Sequence, residues 1–244
     1  MNPRLAVLTA GRVLRQLRAD HRTLSLLVVV PCVLIGLLAW MYSGTPVFSV
    51  VGPALLGIFP FTVMFLVTSI ATLRERTGGT LERLLTTPLA KADFMVGYAL
   101  AFALVAVVQA VVTVAFAIWV CRLEVAGPVW LLVVIAVADA VLGCALGLLA
   151  SAFATSEFQA VQFMPAFVLP QFLLCGLLTP RDHLPAVLHG VSDILPLSYA
   201  VDAMAAITRA SSGTGDAGRD LLVILGFVVL ALGLGSLTLR RRTA

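Results

Sequence analysis

The sequence predicts an all-α membrane protein with six transmembrane helices, and three observations predict it. Hydrophobic residues make up 61% of the 244-residue chain and charged residues 11%, with a mean hydropathy of +1.08. Soluble chains carry about a quarter charged residues. Apolar runs recur at 24–42, 51–73, 94–120, 129–153, 158–178 and 221–239, each near the roughly 20 residues that a membrane helix needs. If those runs span, twelve of the sixteen Lys and Arg residues fall on one side.

That sorting sets the orientation. Arg4, Arg12, Arg15, Arg18 and Arg22 share a side with Arg74, Arg76, Arg83 and Lys91, and with Arg240, Arg241 and Arg242. Only Arg122, Arg181, Arg209 and Arg219 lie opposite. The positive-inside rule therefore places both termini and the 74–93 loop in the cytoplasm. The net charge of +4 orients the chain in a membrane, and no nucleic-acid partner is expected.

The N-terminal segment, 1–23, reads as an interfacial amphipathic helix. Wound at ~100° per residue, its arginines gather on one side and Ala6, Ala10, Val13, Leu14 and Leu17 on the other. Residues 24–244 form the transmembrane domain. The first apolar run starts only at Leu24 and is long enough to span, so a membrane helix is expected there rather than a cleaved leader. Pro53 and Pro60 stand in the second run, where neighbouring helices can satisfy the freed carbonyls. Gln109, the one notable polar side chain of the third run, suits a hydrogen bond between helices.

Asp139 is the single acid deep in an apolar run. An unpaired ionisable group at such depth costs at least ~2.5 kcal/mol. Two roles stay open for it, a hydrogen bond between helices or a place on a transport route. At helical spacing it shares a face with Ala136, Ala140, Gly143 and Gly147, and the glycine pair is a close-packing motif for helices or for a dimer.

Beyond the fifth run, the outer segment 179–220 is apolar in its middle but broken by Pro180, Pro185 and Pro196, which predicts short helices dipping into the outer leaflet. His183 and His189 with Asp182 and Asp193 match no standard zinc spacing, so no metal is expected. Cys32, Cys144 and Cys175 lie in apolar runs and Cys121 at an edge, which suits small buried side chains rather than a disulfide framework. The single lysine, Lys91, follows no glycine-rich loop, and no hydrolase or metalloprotease signature occurs. No enzyme chemistry is expected in this chain.

The 74–93 loop is the densest polar stretch, holding Arg74, Glu75, Arg76, Glu82, Arg83, Lys91 and Asp93. Gly78 and Gly79 free the backbone, Thr80 can cap a short helix with Glu82 in its first turn, and Pro88 ends it. Leu81, Leu84 and Leu85 form a small apolar edge. A helix this short is unstable alone and needs a partner surface.

Arg74-Glu75-Arg76, Gly79 to Leu85, Thr87-Pro88 and Gly97, with Thr179-Pro180-Arg181 to Pro185 and Pro196 to Ala200 followed by Asp202-Ala203-Met204, together resemble the membrane permease subunit of ABC exporters of the daunorubicin-resistance and polysaccharide-export class. Thr77, Tyr98 and Ala205 stand where that family often has a second acid, a lysine and an arginine. The resemblance implies that the loop helix is a cytoplasmic coupling helix docking on a P-loop ATP-binding subunit, present in two copies. Glu75, Thr80, Glu82 and Arg83 would be its polar contacts and Leu81, Leu84 and Leu85 its apolar seat. It also implies a second permease copy, ATP and Mg bound in the partner subunit rather than here, and export of an amphipathic drug, polyketide or lipid across a bacterial plasma membrane. Export of a lipid-linked polysaccharide, or ion-coupled secondary transport through Asp139, are the alternatives.

Overall fold

The computed structural model describes residues 3–78, 91–209 and 214–238. Among them every regular element is helical: α1 (Pro3–Ala19), α2 (His21–Met41), α3 (Val47–Thr77), α4 (Lys91–Trp119), α5 (Val129–Phe153), α6 (Glu157–Leu174), a 3-10 turn (Arg181–His183), α7 (Ala186–Ile194), α8 (Pro196–Arg209) and α9 (Thr214–Thr238). The helix that the sequence predicts around residues 80–87 lies outside the described residues.

Helices α3 and α5 form the centre. Both are buried along most of their length, and they pack on each other more extensively than any other pair. The cause is local: a methyl group added at Gly143 or Gly147 of α5 would collide with the backbone carbonyl of Phe61 or Phe65 in α3. Glycine at both positions lets the two backbones touch, which is how helices gain contact where lipid is as apolar as the core. Around this pair, α2 and α9 each expose a row of apolar side chains, Val29, Val33, Leu225 and Val229 among them. In a membrane such faces suit acyl chains or another apolar helix.

Five helices, α2, α3, α4, α5 and α9, are each long and apolar enough to cross a bilayer, and the α7–α8 pair, bent by 92°, passes the same test as a unit. Helix α6, on the expected fifth span, has 18 residues with Pro165, Pro170 and three glutamines inside, about 27 Å at the α-helical rise. All three tryptophans, Trp40, Trp119 and Trp130, are exposed at the end of α2, the end of α4 and the start of α5. Alternating chain direction puts those ends on one side, where an aromatic belt belongs.

Helix α1 buries Ala6, Ala10, Val13 and Leu17, the face expected from its periodicity, against α4. The approach is close: a Cβ at Gly97 would lie 2.6 Å from Thr9 Cβ. Its apolar face is thus covered by protein. Within the proline-broken segment, residues 181–209 fold as the 3-10 turn and two short helices, with Pro196 opening α8 where its missing N–H costs nothing. Gly127 and Ala126 amides then donate to the Ile207 and Thr208 carbonyls at 2.9 and 3.2 Å, satisfying the end of α8.

Candidate functional site

The C-terminal end of α3 is where the expected coupling segment begins. The helix continues past its apolar run through Arg74, Glu75 and Arg76, and a helical turn of ~100° per residue sends the three side chains to different neighbours. Arg74 donates from Nε and Nη2 to both oxygens of Glu157, at 2.8 and 2.9 Å, at the start of α6. Arg76 donates to the Ser151 carbonyl near the end of α5. Glu75 turns toward α1, where it accepts from Gln16 at 3.0 Å and pairs with Arg12 at 3.4 Å. Arg12 also donates to the Tyr98 hydroxyl of α4 at 3.1 Å.

These contacts differ in weight. The Arg74 and Glu157 side chains are 61% and 52% exposed, so that pair contributes at most about 1 kcal/mol. Arg12 and Glu75 are 28% and 12% exposed, and water screens them less. Both arginines of the last turn also face the negative end of the α3 dipole. The last turn before the 79–90 segment is consequently tied to α1, α5 and α6, with Tyr98 of α4 bonded to the same arginine. Of the expected coupling residues, Glu75 stands in this cluster, whereas Thr80, Leu81, Glu82, Arg83, Leu84 and Leu85 lie outside the described residues.

Asp139 sits fully buried where α3, α5 and α8 meet. A Cβ at Gly57 would be 3.6 Å from its Oδ2 and from Val201, and 3.7 Å from the Met204 sulfur. Neither carboxyl oxygen has a hydrogen-bond partner among the described residues. Gln109 is also fully buried, and its amide donates to the Leu27 carbonyl at 2.9 Å. No hydrogen bond joins Asp139 to Gln109. Gly143 and Gly147 face α3 of the same chain.

The segment after α6 carries a cluster whose residues stand in the sequence only as motif members and, for Asp193, in the His–Asp set that fits no zinc spacing. Arg181 donates to Ser192 at 2.8 Å, pairs with Asp193 and Asp202, and lies 5.6 Å over the Tyr199 ring. Ser192 donates on to the Leu174 carbonyl at 2.8 Å. One guanidinium thus fastens α7, α8 and the end of α6 beside an open cavity of about 820 Å³ that Asp182, His189 and Arg219 also line. Arg12, Gln16 and Tyr98 were likewise missed as partners of Glu75. The signals available were an arginine on a proline-flanked turn and a glutamine among arginines, and neither names its partner.

Comparison with known proteins matches this architecture. A family model described as ABC-2 type transporter covers residues 4–208. Among similar proteins, a "Probable multidrug ABC transporter permease YbhR" of Escherichia coli (strain K12) is 30% identical over 150 residues, which are 62% of this chain and 41% of that protein. "ABC transporter G family member 20" of Dictyostelium discoideum is 25% identical over 192 residues, 78% of this chain and 26% of its own length. A "Probable multidrug ABC transporter permease YbhS" of Escherichia coli (strain K12) is 23% identical over 191 residues, 78% of this chain and 51% of the relative. The matched region spans about half or less of each of these relatives. With a family match over most of its length and an all-helical membrane architecture, the chain belongs to the ABC-2 type transporter family, as a type-2 ABC permease.

Proposed function

We propose that this chain is the transmembrane subunit of an ATP-driven exporter that moves an amphipathic or hydrophobic substrate, a drug, polyketide or lipid, out of the cytoplasm or inner leaflet. Two copies form the pathway with six spans each and cytoplasmic termini, and each copy docks a P-loop ATPase through the 79–90 segment. ATP binding closes the ATPase pair, and the dimer exchanges inward- and outward-facing states because each ligand favours one of them. The observation that carries this reading is the anchored end of α3: Arg74, Glu75 and Arg76 connect its last turn to three other helices. A displacement applied just beyond Gly78 would reach the bundle through these polar contacts.

The test is co-purification with a candidate P-loop ATPase subunit, wild type against a Glu82→Arg, Leu84→Asp double variant. The expected result is loss of the complex and of permease-stimulated ATP hydrolysis while the permease elutes and melts as wild type. A complex that persists overturns the docking assignment.

A second reading, ion-coupled transport, draws on the unpartnered Asp139 carboxyl. The two separate on Asp139→Asn, which keeps the shape and removes the titration. Under the exporter reading, ATP-dependent transport stays within about twofold of wild type, whereas a proton relay loses orders of magnitude.

A further inference from the structure

A cavity of about 400 Å³ opens between α1, α2, α3 and α4, next to the Glu75 cluster. Its walls include Leu17, Leu26, Val67, Ile70 and Phe102. Polar groups join them at the charged ends of the same helices: Gln16, Asp20, Arg74 and Glu75. Val67 stands eight residues before Glu75, roughly 12 Å along the helix. The cavity therefore runs from the charged boundary of the bundle into its apolar length, the shape of an amphipath standing in one leaflet.

The charges at its mouth choose among amphipaths. None of the five arginines between residues 4 and 22 lines it, because α1 turns Val13, Gln16 and Leu17 inward. Among the described lining residues two carboxylates, Asp20 and Glu75, face one guanidinium, Arg74. Arg74 is gripped by Glu157, which does not line the cavity. Asp20 accepts from the Thr23 amide and hydroxyl, at 3.1 and 2.5 Å, and from the Arg22 amide, and it is exposed with no side-chain cation bonded to it among the described residues. With Arg74 held by Glu157 and Glu75 by Arg12, Asp20 is the carboxylate left to take one positive charge above an apolar body.

We propose that this cavity is a binding site for an amphipathic monocation, its alkyl or aromatic part between α2, α3 and α4 and its ammonium beside Asp20 and Glu75. The proposal rests on the exporter reading and deepens it by giving the transported amphipath a sign of charge. An occupant that draws on Glu75 competes with Arg12 and Gln16 for the same carboxylate. Occupancy is thereby felt at the last turn of α3, just ahead of the segment assigned to the ATPase.

Radiolabelled dodecyltrimethylammonium, titrated onto the full chain in phosphatidylcholine nanodiscs with empty nanodiscs subtracted, tests this directly. Saturable binding of one molecule per chain is expected, with no competition from dodecyl sulfate. Asp20→Asn keeps the helix cap, since Asn caps as well as Asp, and should weaken binding about tenfold, the scale of one lost charge-assisted contact. Ala71→Phe, which fills the cavity from α3, should abolish it. Absence of saturable binding, equal competition by the sulfate, or wild-type affinity in Asp20→Asn overturns the site, as does wild-type binding in a folded Ala71→Phe protein. No ATPase is needed for the measurement, so a failed ATPase complex with intact ammonium binding counts against the exporter reading alone.

Discussion

Gln109 on α4 donates to the carbonyl of Leu27 on α2 at 2.9 Å, and Leu27 is the residue four positions before Pro31. Proline has no N–H, so the carbonyl one turn earlier loses its helical partner. In an apolar setting that loss needs a donor from elsewhere, and Gln109 supplies it.

Gln109→Leu should accordingly destabilise the chain by about 1 kcal/mol, the lower end of the range for an orphaned carbonyl because the amide oxygen of Gln109 has no partner of its own. Pro31→Ala in the same background restores an N–H at position 31 and should recover most of the loss. Melting of the four proteins in detergent gives the cycle. Additive effects would show that the bond and the proline are unrelated.

The glycine pair of α5 sets the spacing of the central helices. Gly143→Leu or Gly147→Leu drives a side chain into the Phe61 or Phe65 carbonyl, and backbone cannot move aside as a flexible side chain does. Each substitution should lose more than about 3 kcal/mol, in the range of severe core overpacking, seen as aggregation on size exclusion. Gly226→Leu on α9, where a Cβ meets nothing within 4 Å, serves as the control and should elute as wild type.

Arg12 and Glu75 join α1 to the end of α3. Arg12→Glu sets two carboxylates side by side, and Glu75→Arg sets two guanidiniums. The reversed pair, carrying both changes, should regain about 1 kcal/mol over the sum of the single losses, a value kept small by the partial exposure of Arg12. Thermal melts at low and high salt check it, with the recovery shrinking as salt rises.

The Thr23 hydroxyl and amide hold the Asp20 carboxyl below its usual range at the start of α2. A carboxylate whose folded pKa is depressed adds stability above its unfolded pKa of about 3.9 and loses it as pH falls through the folded value. Wild type and Asp20→Asn should melt together at neutral pH, and wild type should fall relative to the variant below about pH 4. Melting curves across that range check the sign.

Much of the architecture is legible along the chain because it is a property of short windows. Apolar runs near the thickness of a bilayer mark α2 to α5 and α9, and the buried face of α1 follows from its 3.6-residue period. The proline-broken outer segment announces short helices for the same reason. Helix α6 is the informative case, since Gln159, Gln162 and Gln171 reduce its apolar signal while Pro165 and Pro170 interrupt its backbone. Gln171 finds its use only in three dimensions, accepting from the Leu197 amide at the start of α8.

By itself, the sequence determined that the chain is a multi-span helical membrane protein, which glycines allow close packing, and which residues resemble a known inner-loop signature. Only the tertiary structure decided that Glu75 meets Arg12 across 63 positions, that Gln109 serves the carbonyl freed by Pro31, and that Arg181 fastens α7 and α8 together. The reason is physical. Hydropathy and helical period fix how each segment meets lipid, a local and nearly additive quantity. Which polar side chains meet depends on the register and tilt of helices far apart in the chain, set by packing of the whole bundle at once.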